Sequence, residues 1–292
     1  MEYAEMLKIY GCAPGKDDVA AIVAKAQSMV GNNVSPDVLK RCYSCIDLTS
    51  LEASDSQKSI AELARKVAAQ RGEFTDVPDV ASVCVYPSFV ETVGVELGDS
   101  DICIASVVGG FPSSQTFLEV KMLEAAMAVE NGADEIDIVM NVGEVLTGEF
   151  DKAGSELELI REEVGDDIVM KVIIESGMLP DYGTMRMAAL TAMMAGADFV
   201  KTSTGKVSVA ATPETAAVIC GAISDYFKAT GKKVGFKAAG GIRTANDVAL
   251  YYSIVETVLG AEWLNPELFR IGASSAANNL LSAIMGASVK YY

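Results

Sequence analysis

Ala197-Asp-Phe-Val-Lys201 and Val234-Gly-Phe-Lys237 are two short apolar runs that each end on a lysine and then on small residues, Thr202-Ser-Thr-Gly-Lys206 and Ala238-Ala-Gly-Gly241. Each reads as a buried strand. Between them, residues 213–229 carry a helical pattern, opened by Thr212-Pro213-Glu214, an N-cap residue followed by proline at the first helical position. Strand, helix and strand in this order form a crossover unit, which implies parallel strands. The same alternation extends outward in both directions. Further strand patterns lie at 43–48, 80–86, 102–108, 135–141, 168–175 and 268–271, and further helical ones at 56–70, 114–131, 155–164, 181–195 and 244–259. Eight such strands within about 250 residues fit a closed (β/α)8 TIM barrel of the α/β class better than an open doubly wound sheet. Residues 1–42 read as an N-terminal helical extension that could cover the bottom of the barrel, and 43–292 as the barrel domain with a short C-terminal tail.

The composition narrows the chemistry. The chain has no histidine, so nucleophile systems that need an imidazole base are excluded, as are histidine-bearing metal sites. Six cysteines in 292 residues are too few for a disulfide scaffold. Cys42 and Cys45 form a C-x-x-C at the entry to a predicted strand, where an offset of three puts the thiols on opposite faces, so they are expected to be ordinary reduced cysteines. A net charge of −17 argues against nucleic acid and against anionic membrane as partners. The N-terminus shows no signal-peptide pattern and no apolar run approaches the length of a membrane span, which implies a cytoplasmic protein.

In this fold the chemistry sits at the C-terminal ends of the strands. Lys201 and Lys237 end strands six and seven. An ammonium there is costly to desolvate unless it is paired or deprotonated, which suggests one lysine kept neutral enough to attack a carbonyl. Period-two alternation adds inward-facing Asp137 in strand four, and Lys171, Ile173 and Glu175 on one face of strand five. Lys171 is read either as part of the site or as a buried ion pair of the scaffold. Loops after strands seven and eight commonly cradle phosphate in such barrels. Here they contribute Gly240, Gly241 and Arg243, then Ser274 and Ser275 opening a helix, with Lys206 as a further cation. A P-loop reading fails, because Val200 stands where its first glycine belongs and Val207 follows the lysine.

These residues give the chain its resemblance to a known family. Asp47-Leu-Thr49, Val83-Cys-Val-Tyr-Pro87, Gly132-Ala-Asp-Glu-Ile-Asp137, Lys171-Val-Ile-Ile-Glu175, Asp198 to Lys206, Gly235-Phe-Lys237 with Gly240-Gly-Ile-Arg243, and Phe269-Arg-Ile-Gly-Ala-Ser-Ser275 together resemble the deoxyribose-phosphate aldolase family of class I aldolases. The resemblance runs from about Asp47 to the C-terminal region. It implies reversible cleavage of 2-deoxy-D-ribose 5-phosphate to acetaldehyde and D-glyceraldehyde 3-phosphate through a lysine Schiff base, with no metal or organic cofactor. By position it places the Schiff-base lysine on Lys201, the neighbouring lysine on Lys237 and the acid/base aspartate on Asp137. Phosphate contacts fall on Gly205, Lys206, Gly240, Gly241, Arg243, Ser274 and Ser275, and the sugar pocket on Asp47, Thr49 and Cys84. Lys237, as a like charge nearby, is expected to lower the pKa of Lys201. The tail Lys290-Tyr-Tyr292 is similar to the tyrosine-ended tail that reaches the active site in some members. Ala238 departs from the pattern, standing where many relatives have proline. The implied partners are a small sugar phosphate and an aldehyde, and assembly into a homo-oligomer is left open. Two other readings remain: a sugar-phosphate-binding or interaction protein on the same barrel without turnover, and a different phosphate-binding barrel enzyme, such as an isomerase with Glu175 as its base.

Overall fold

In the computed structural model, residues 9–10 and 14–292 are described. Eight parallel strands close into a barrel in sequence order, β1 pairing with both β2 and β8. They are β1 (Ile46–Thr49), β2 (Ser82–Val85), β3 (Cys103–Val108), β4 (Glu135–Val139), β5 (Val169–Ile173), β6 (Phe199–Lys201), β7 (Gly235–Ala239) and β8 (Phe269–Ala273). The predicted TIM barrel is therefore present. Side chains alternate along each strand. Val200, Phe236, Ala238 and Ile271 face the helical ring and are fully buried there, while Asp137, Lys201, Lys237 and Arg270 face the interior.

Helices α1 (Lys16–Asn33) and α2 (Pro36–Ser44) lie between residue 14 and β1. The barrel then carries α3 (Gln57–Glu73), α4 (Val90–Leu97), α5 (Leu118–Glu130), α6 (Val142–Leu146), α7 (Phe150–Val164), α8 (Tyr182–Met194), α9 (Pro213–Thr230), α10 (Ala245–Val258) and α11 (Ser275–Met285). Several starts are fixed locally. Ser56 and Ser59, Thr212 and Thr215, and Thr244 and Asp247 form reciprocal capping boxes for α3, α9 and α10.

Some boundaries differ from the sequence expectation. Tyr43 and Ser44 belong to α2, not to the first strand, and Cys42 lies in the last turn of that helix with Cys45 just beyond it. The i, i+3 offset therefore keeps the two thiols on one side of a helix, and both are buried and free. The predicted helix 114–131 begins only at Leu118, because Ser114 sits at φ 58° inside a turn. Asn141, read as the end of strand four, instead N-caps α6. Residues 1–8 and 11–13 of the predicted extension lie outside the described residues. Within the rest, α1 buries Val19, Val23 and Ala26, and packs along α10 and α9 in the outer ring rather than across the barrel's end. Asn33 closes that contact through Ser253 and Glu256.

Phe199 and Gly235 are register partners on the inner face of β6 and β7. A Cβ on Gly235 would lie 2.3 Å from the Phe199 ring, so the aromatic side chain occupies the space that the glycine vacates. Gly235→Ala should overpack this floor and destabilise the protein by about 1–3 kcal/mol, measured as a lower urea midpoint with an unchanged m-value.

Candidate active site

The interior of the barrel carries a closed web of charges. Asp137 Oδ1 accepts from Lys171 Nζ at 3.0 Å, and its Oδ2 accepts from Lys201 Nζ and from Lys237 Nζ, each at 2.6 Å. Lys237 also contacts Asp47. Asp47 Oδ1 accepts from Arg270 at 2.6 Å, and Arg270 reaches Glu135 at 2.7 Å. Glu135 in turn accepts from Lys171 at 2.5 Å. Strand register explains the assembly: Lys201 pairs with Lys237, Asp137 with Lys171, and Lys237 with Arg270. Neighbouring inward positions on adjacent strands bring their long side chains to one point on the axis. Gly272 leaves room for this, since a Cβ there would stand 3.3 Å from Lys237 Cε.

Three carboxylates face four cations, all buried. Such a set keeps one positive charge uncompensated unless one lysine gives up its proton. The local environments differ. Among the described residues Lys171 has three carboxylates within 4 Å and Lys237 has two, whereas Lys201 has Asp137 alone. Burial pushes all three amines toward neutrality. At Lys171 and Lys237 the carboxylates outweigh that effect and hold the pKa above the usual lysine value. At Lys201 burial prevails, opposed by Asp137 and assisted by the like charge of Lys237, and the pKa is lowered. The expectation that Lys237 depresses Lys201 has the right sign, but burial is the larger cause. Asp137 is held well below the carboxylate range by its three lysine neighbours despite its burial. Asp47 is depressed in the same way by Lys237 and Arg270.

Above this web lies a cavity of about 230 Å³. Lys201 borders it from below, and Thr49 and Leu51 stand at one side. The loops after β6, β7 and β8 complete the lining with Gly205, Lys206, Gly240, Gly241 and Arg243, and with Ser274 and Ser275 at the start of α11. Gly240, at φ 85°, lets the two loops approach so closely that a Cβ would lie 2.4 Å from Ala210 Cβ. Backbone N–H groups, a helix N-terminus and two cationic side chains give these loops the chemistry that suits an anion. Lys206 Nζ reaches across to the Leu51 carbonyl at 2.5 Å.

The structure thus brings Lys201, Lys206, Thr49 and the glycine and serine residues to one cavity, with Asp137, Lys237, Lys171 and Asp47 directly beneath. Cys84 is fully buried beside the lysines, and burial raises its thiol pKa. Tyr292 is placed elsewhere. Its hydroxyl hydrogen-bonds to Tyr43 at 2.8 Å, and its backbone is clamped by Asn278. Glu175 is not a continuation of the β5 face. It sits at φ 46° beyond the strand end, and accepts hydrogen bonds from the Thr204 backbone and hydroxyl, which brace the Lys201 loop. Among the described residues no group of three or more carboxylate, cysteine or histidine side chains is placed to hold a metal ion.

The family model of the DeoC/LacD family aldolases matches residues 43–261, the span that contains Asp47, Asp137, Lys201 and Lys237. The chain belongs to this aldolase family. It is 42% identical over 247 residues to the deoxyribose-phosphate aldolase of Bos taurus, covering 81% of this chain and 77% of the bovine one. To that of Homo sapiens it is 41% identical, covering 83% and 79%. Among solved structures, a deoxyribose phosphate aldolase from Aeropyrum pernix, described as having a unique tetrameric structure, aligns with a TM-score of 0.65 at 28% identity, covering 92% of this chain and 98% of that one. A Toxoplasma gondii protein shares the fold with a TM-score of 0.75 at 22% identity, over 86% and 95% of the two chains.

Two members of the web in this aldolase were not singled out from sequence. Glu135 lies two residues before Asp137 on the same strand face, so the parity that selected Asp137 also selects it. Arg270 lies within the apolar run Phe269-Arg-Ile271 of β8, the same signal that marked the lysines.

Asp137→Asn leaves three buried lysine side chains around an amide, and should cost roughly 3–5 kcal/mol of stability at neutral pH. Loss of the carboxylate lowers the folded-state pKa of the lysines, so the unfolded chain binds more protons than the variant's native state. The deficit should therefore shrink as pH rises toward the unfolded lysine value of about 10.4. Urea unfolding of both proteins at neutral and at mildly alkaline pH measures it, and a deficit that stays constant would contradict the charge web.

Proposed function

We propose that the chain catalyses the reversible aldol cleavage of 2-deoxy-D-ribose 5-phosphate to acetaldehyde and D-glyceraldehyde 3-phosphate. The observation that carries this reading is the position of Lys201, a lysine with a lowered pKa whose carboxylate partner among the described residues is Asp137, on a cavity that is also lined by loops suited to an anion. With the phosphate held by Gly205, Lys206, Gly240, Gly241, Arg243, Ser274 and Ser275, the aldehyde end of the open-chain sugar is directed to Lys201. The free amine adds to C1, and loss of water gives an iminium. As the C3 hydroxyl gives up its proton, the C2–C3 bond breaks and its electron pair passes into the iminium. C3 becomes the aldehyde of glyceraldehyde 3-phosphate, and an enamine remains on Lys201. Protonation at C2 and addition of water release acetaldehyde and restore the amine.

Asp137 and Lys237 are the groups we assign to proton transfer. Asp137 is ionised and hydrogen-bonded to both lysines, so it can accept a proton. Lys237 is held protonated by Asp137 and Asp47 against the effect of burial, so it can donate one. Thr49, which lines the cavity, is assigned to the sugar pocket, and Lys171 to holding Asp137, while Cys84 is buried and has no part in this scheme. Tyr292, hydrogen-bonded to Tyr43 in this conformation, has no part in this scheme. The prediction is that acetaldehyde with borohydride adds a reduced two-carbon group to Lys201, and that Lys201→Leu loses both the adduct and kcat by several orders of magnitude. Peptide mass mapping decides it; label confined to Lys206 or Lys237 would overturn the assignment.

The reading extends to the protein's setting. No helix among the described residues is long and apolar enough to cross a membrane, and with the acidic surface this supports a cytoplasmic protein acting on small molecules, with neither nucleic acid nor membrane as a partner. We also assign the chain to a homo-oligomer. Phe117, Val120, Leu123 and Met127 form an apolar stripe at helical spacing beside Pro87, each about half or more exposed. Light scattering should show an assembly larger than a monomer, and Leu123→Asp with Met127→Asp should shift it toward one; a monomeric parent protein refutes this.

A further inference from the structure

The floor of the barrel holds two opposite charges that do not line the cavity. Arg270 spans Asp47 and Glu135, and is held from below by the Pro266 carbonyl and by the Phe199 ring, 5.6 Å from the guanidinium carbon. Glu135 spans Arg270 and Lys171. Each is therefore one step removed from the groups assigned to chemistry. Arg270 acts on Lys237 through Asp47, and Glu135 acts on Asp137 through Lys171.

We propose that Arg270 and Glu135 are positioning residues whose opposed charges set the charge balance of the web above them, and so determine at which pH Lys201 carries a free amine. This rests on the reading of Lys201 as the imine-forming residue.

The physical case follows from the contacts. Arg270 engages Asp47 Oδ1 and leaves Oδ2 to Lys237. Without the guanidinium, Asp47 would bear on Lys237 alone and the web would gain a net negative charge. Without Glu135, Lys171 would lose one of its carboxylates and the web would gain a net positive charge. Interactions between buried charges are only weakly screened, so such a change is felt at Lys201 even without contact. The groups facing Lys201 from the surrounding strands are Asp47 of β1, Cys84 of β2, Asp137 of β4, Lys171 of β5 and Lys237 of β7. Glu175 lies beyond β5, and Cys103 of β3 faces the floor near Glu135 and Arg270. None of them offers a second arginine or a second floor carboxylate to take over the balance. Burial opposes the charge on Arg270, yet Asp47 and Glu135 hold it firmly protonated, which makes it a fixed charge over the working pH range.

The test is the pH midpoint for borohydride trapping of acetaldehyde on Lys201, located by peptide mapping. Arg270→Gln removes a positive charge, raises the Lys201 pKa and should move the midpoint up by about one pH unit. Glu135→Gln removes a negative charge and should move it down by a similar amount. Arg270→Gln with Glu135→Gln should return it close to the parent value, although the double variant loses more contacts than either single one. A purely structural role predicts no such opposition and no such cancellation. Should Arg270→Gln fail to fold, Glu135→Gln read against Glu135→Asp carries the test, because the charge-keeping variant must leave the midpoint in place. Midpoints that stay fixed, or that move in the same direction in both single variants, overturn the inference. If the parent protein's adduct sits on a residue other than Lys201, the reading of Lys201 has failed instead, and the two failures are thereby told apart.

Discussion

One carboxylate, Asp137, meets three lysine amines in the buried centre of the barrel, and the rest of the site depends on that contact. Charges this deep are stable only when their partners are fixed and their hydrogen-bonding capacity is filled. The closed parallel barrel provides both conditions. Strand register fixes which inward positions are neighbours, and small residues at other inward positions, Gly235 and Gly272 among them, leave volume for long side chains. A barrel filled with branched aliphatic residues would be easier to stabilise but could not hold an amine near neutrality. Here the scaffold and the chemistry draw on the same interior space.

The site divides into two parts with different physics. Beneath the cavity, strand side chains form a buried charge web. At its mouth, loops after β6, β7 and β8 present backbone N–H groups, Lys206, Arg243 and the start of α11. Against a chain of net charge −17 this mouth gathers cationic groups and N–H donors, a setting that favours an anion there over the remaining surface. Under the proposed function this division separates binding from bond breaking: the loops assigned to the phosphate are distinct from the charge web assigned to proton transfer, and Lys201 has no part in gripping an anion.

Much of this was legible in the sequence because the signals are periodic. Apolar runs ending on Lys201 and Lys237 gave the strands, and alternation gave Asp137 and Lys171. The glycine and serine loops gave the anion receptor. What was not legible is mostly long-range. Arg270 and Glu135 obey the same parity, but only the closure of β8 onto β1 shows that an arginine in the last strand completes the coordination of Asp47 in the first. The position of α1 on the outer ring follows from tertiary packing that its weakly patterned sequence does not encode. Tyr292 lies against Tyr43 because Asn278 clamps the tail, a pairing across 249 positions that no local pattern announces. Cys42 and Cys45 were misplaced for a local reason: Tyr43 suits either a strand or a helix end, and the cap at Cys45 decided it.

The selection of Lys201 among three buried lysines is a matter of counting neighbours more than of any property of the residue. All three amines are desolvated, which favours the neutral form in each. Lys171 recovers its charge from Asp137, Glu135 and Asp47, and Lys237 from Asp137 and Asp47. Lys201 has Asp137 alone, and shares it with both other lysines. The amine with the least compensation is the one whose pKa is lowered, and it is also the one that borders the cavity. Repulsion from Lys237 adds to this result without being its main source, because Lys237 also occupies the Asp137 oxygen that would otherwise serve Lys201 alone. The neighbouring lysine therefore acts twice, once as a like charge and once as a competitor for the same carboxylate, and both effects favour a free amine on Lys201.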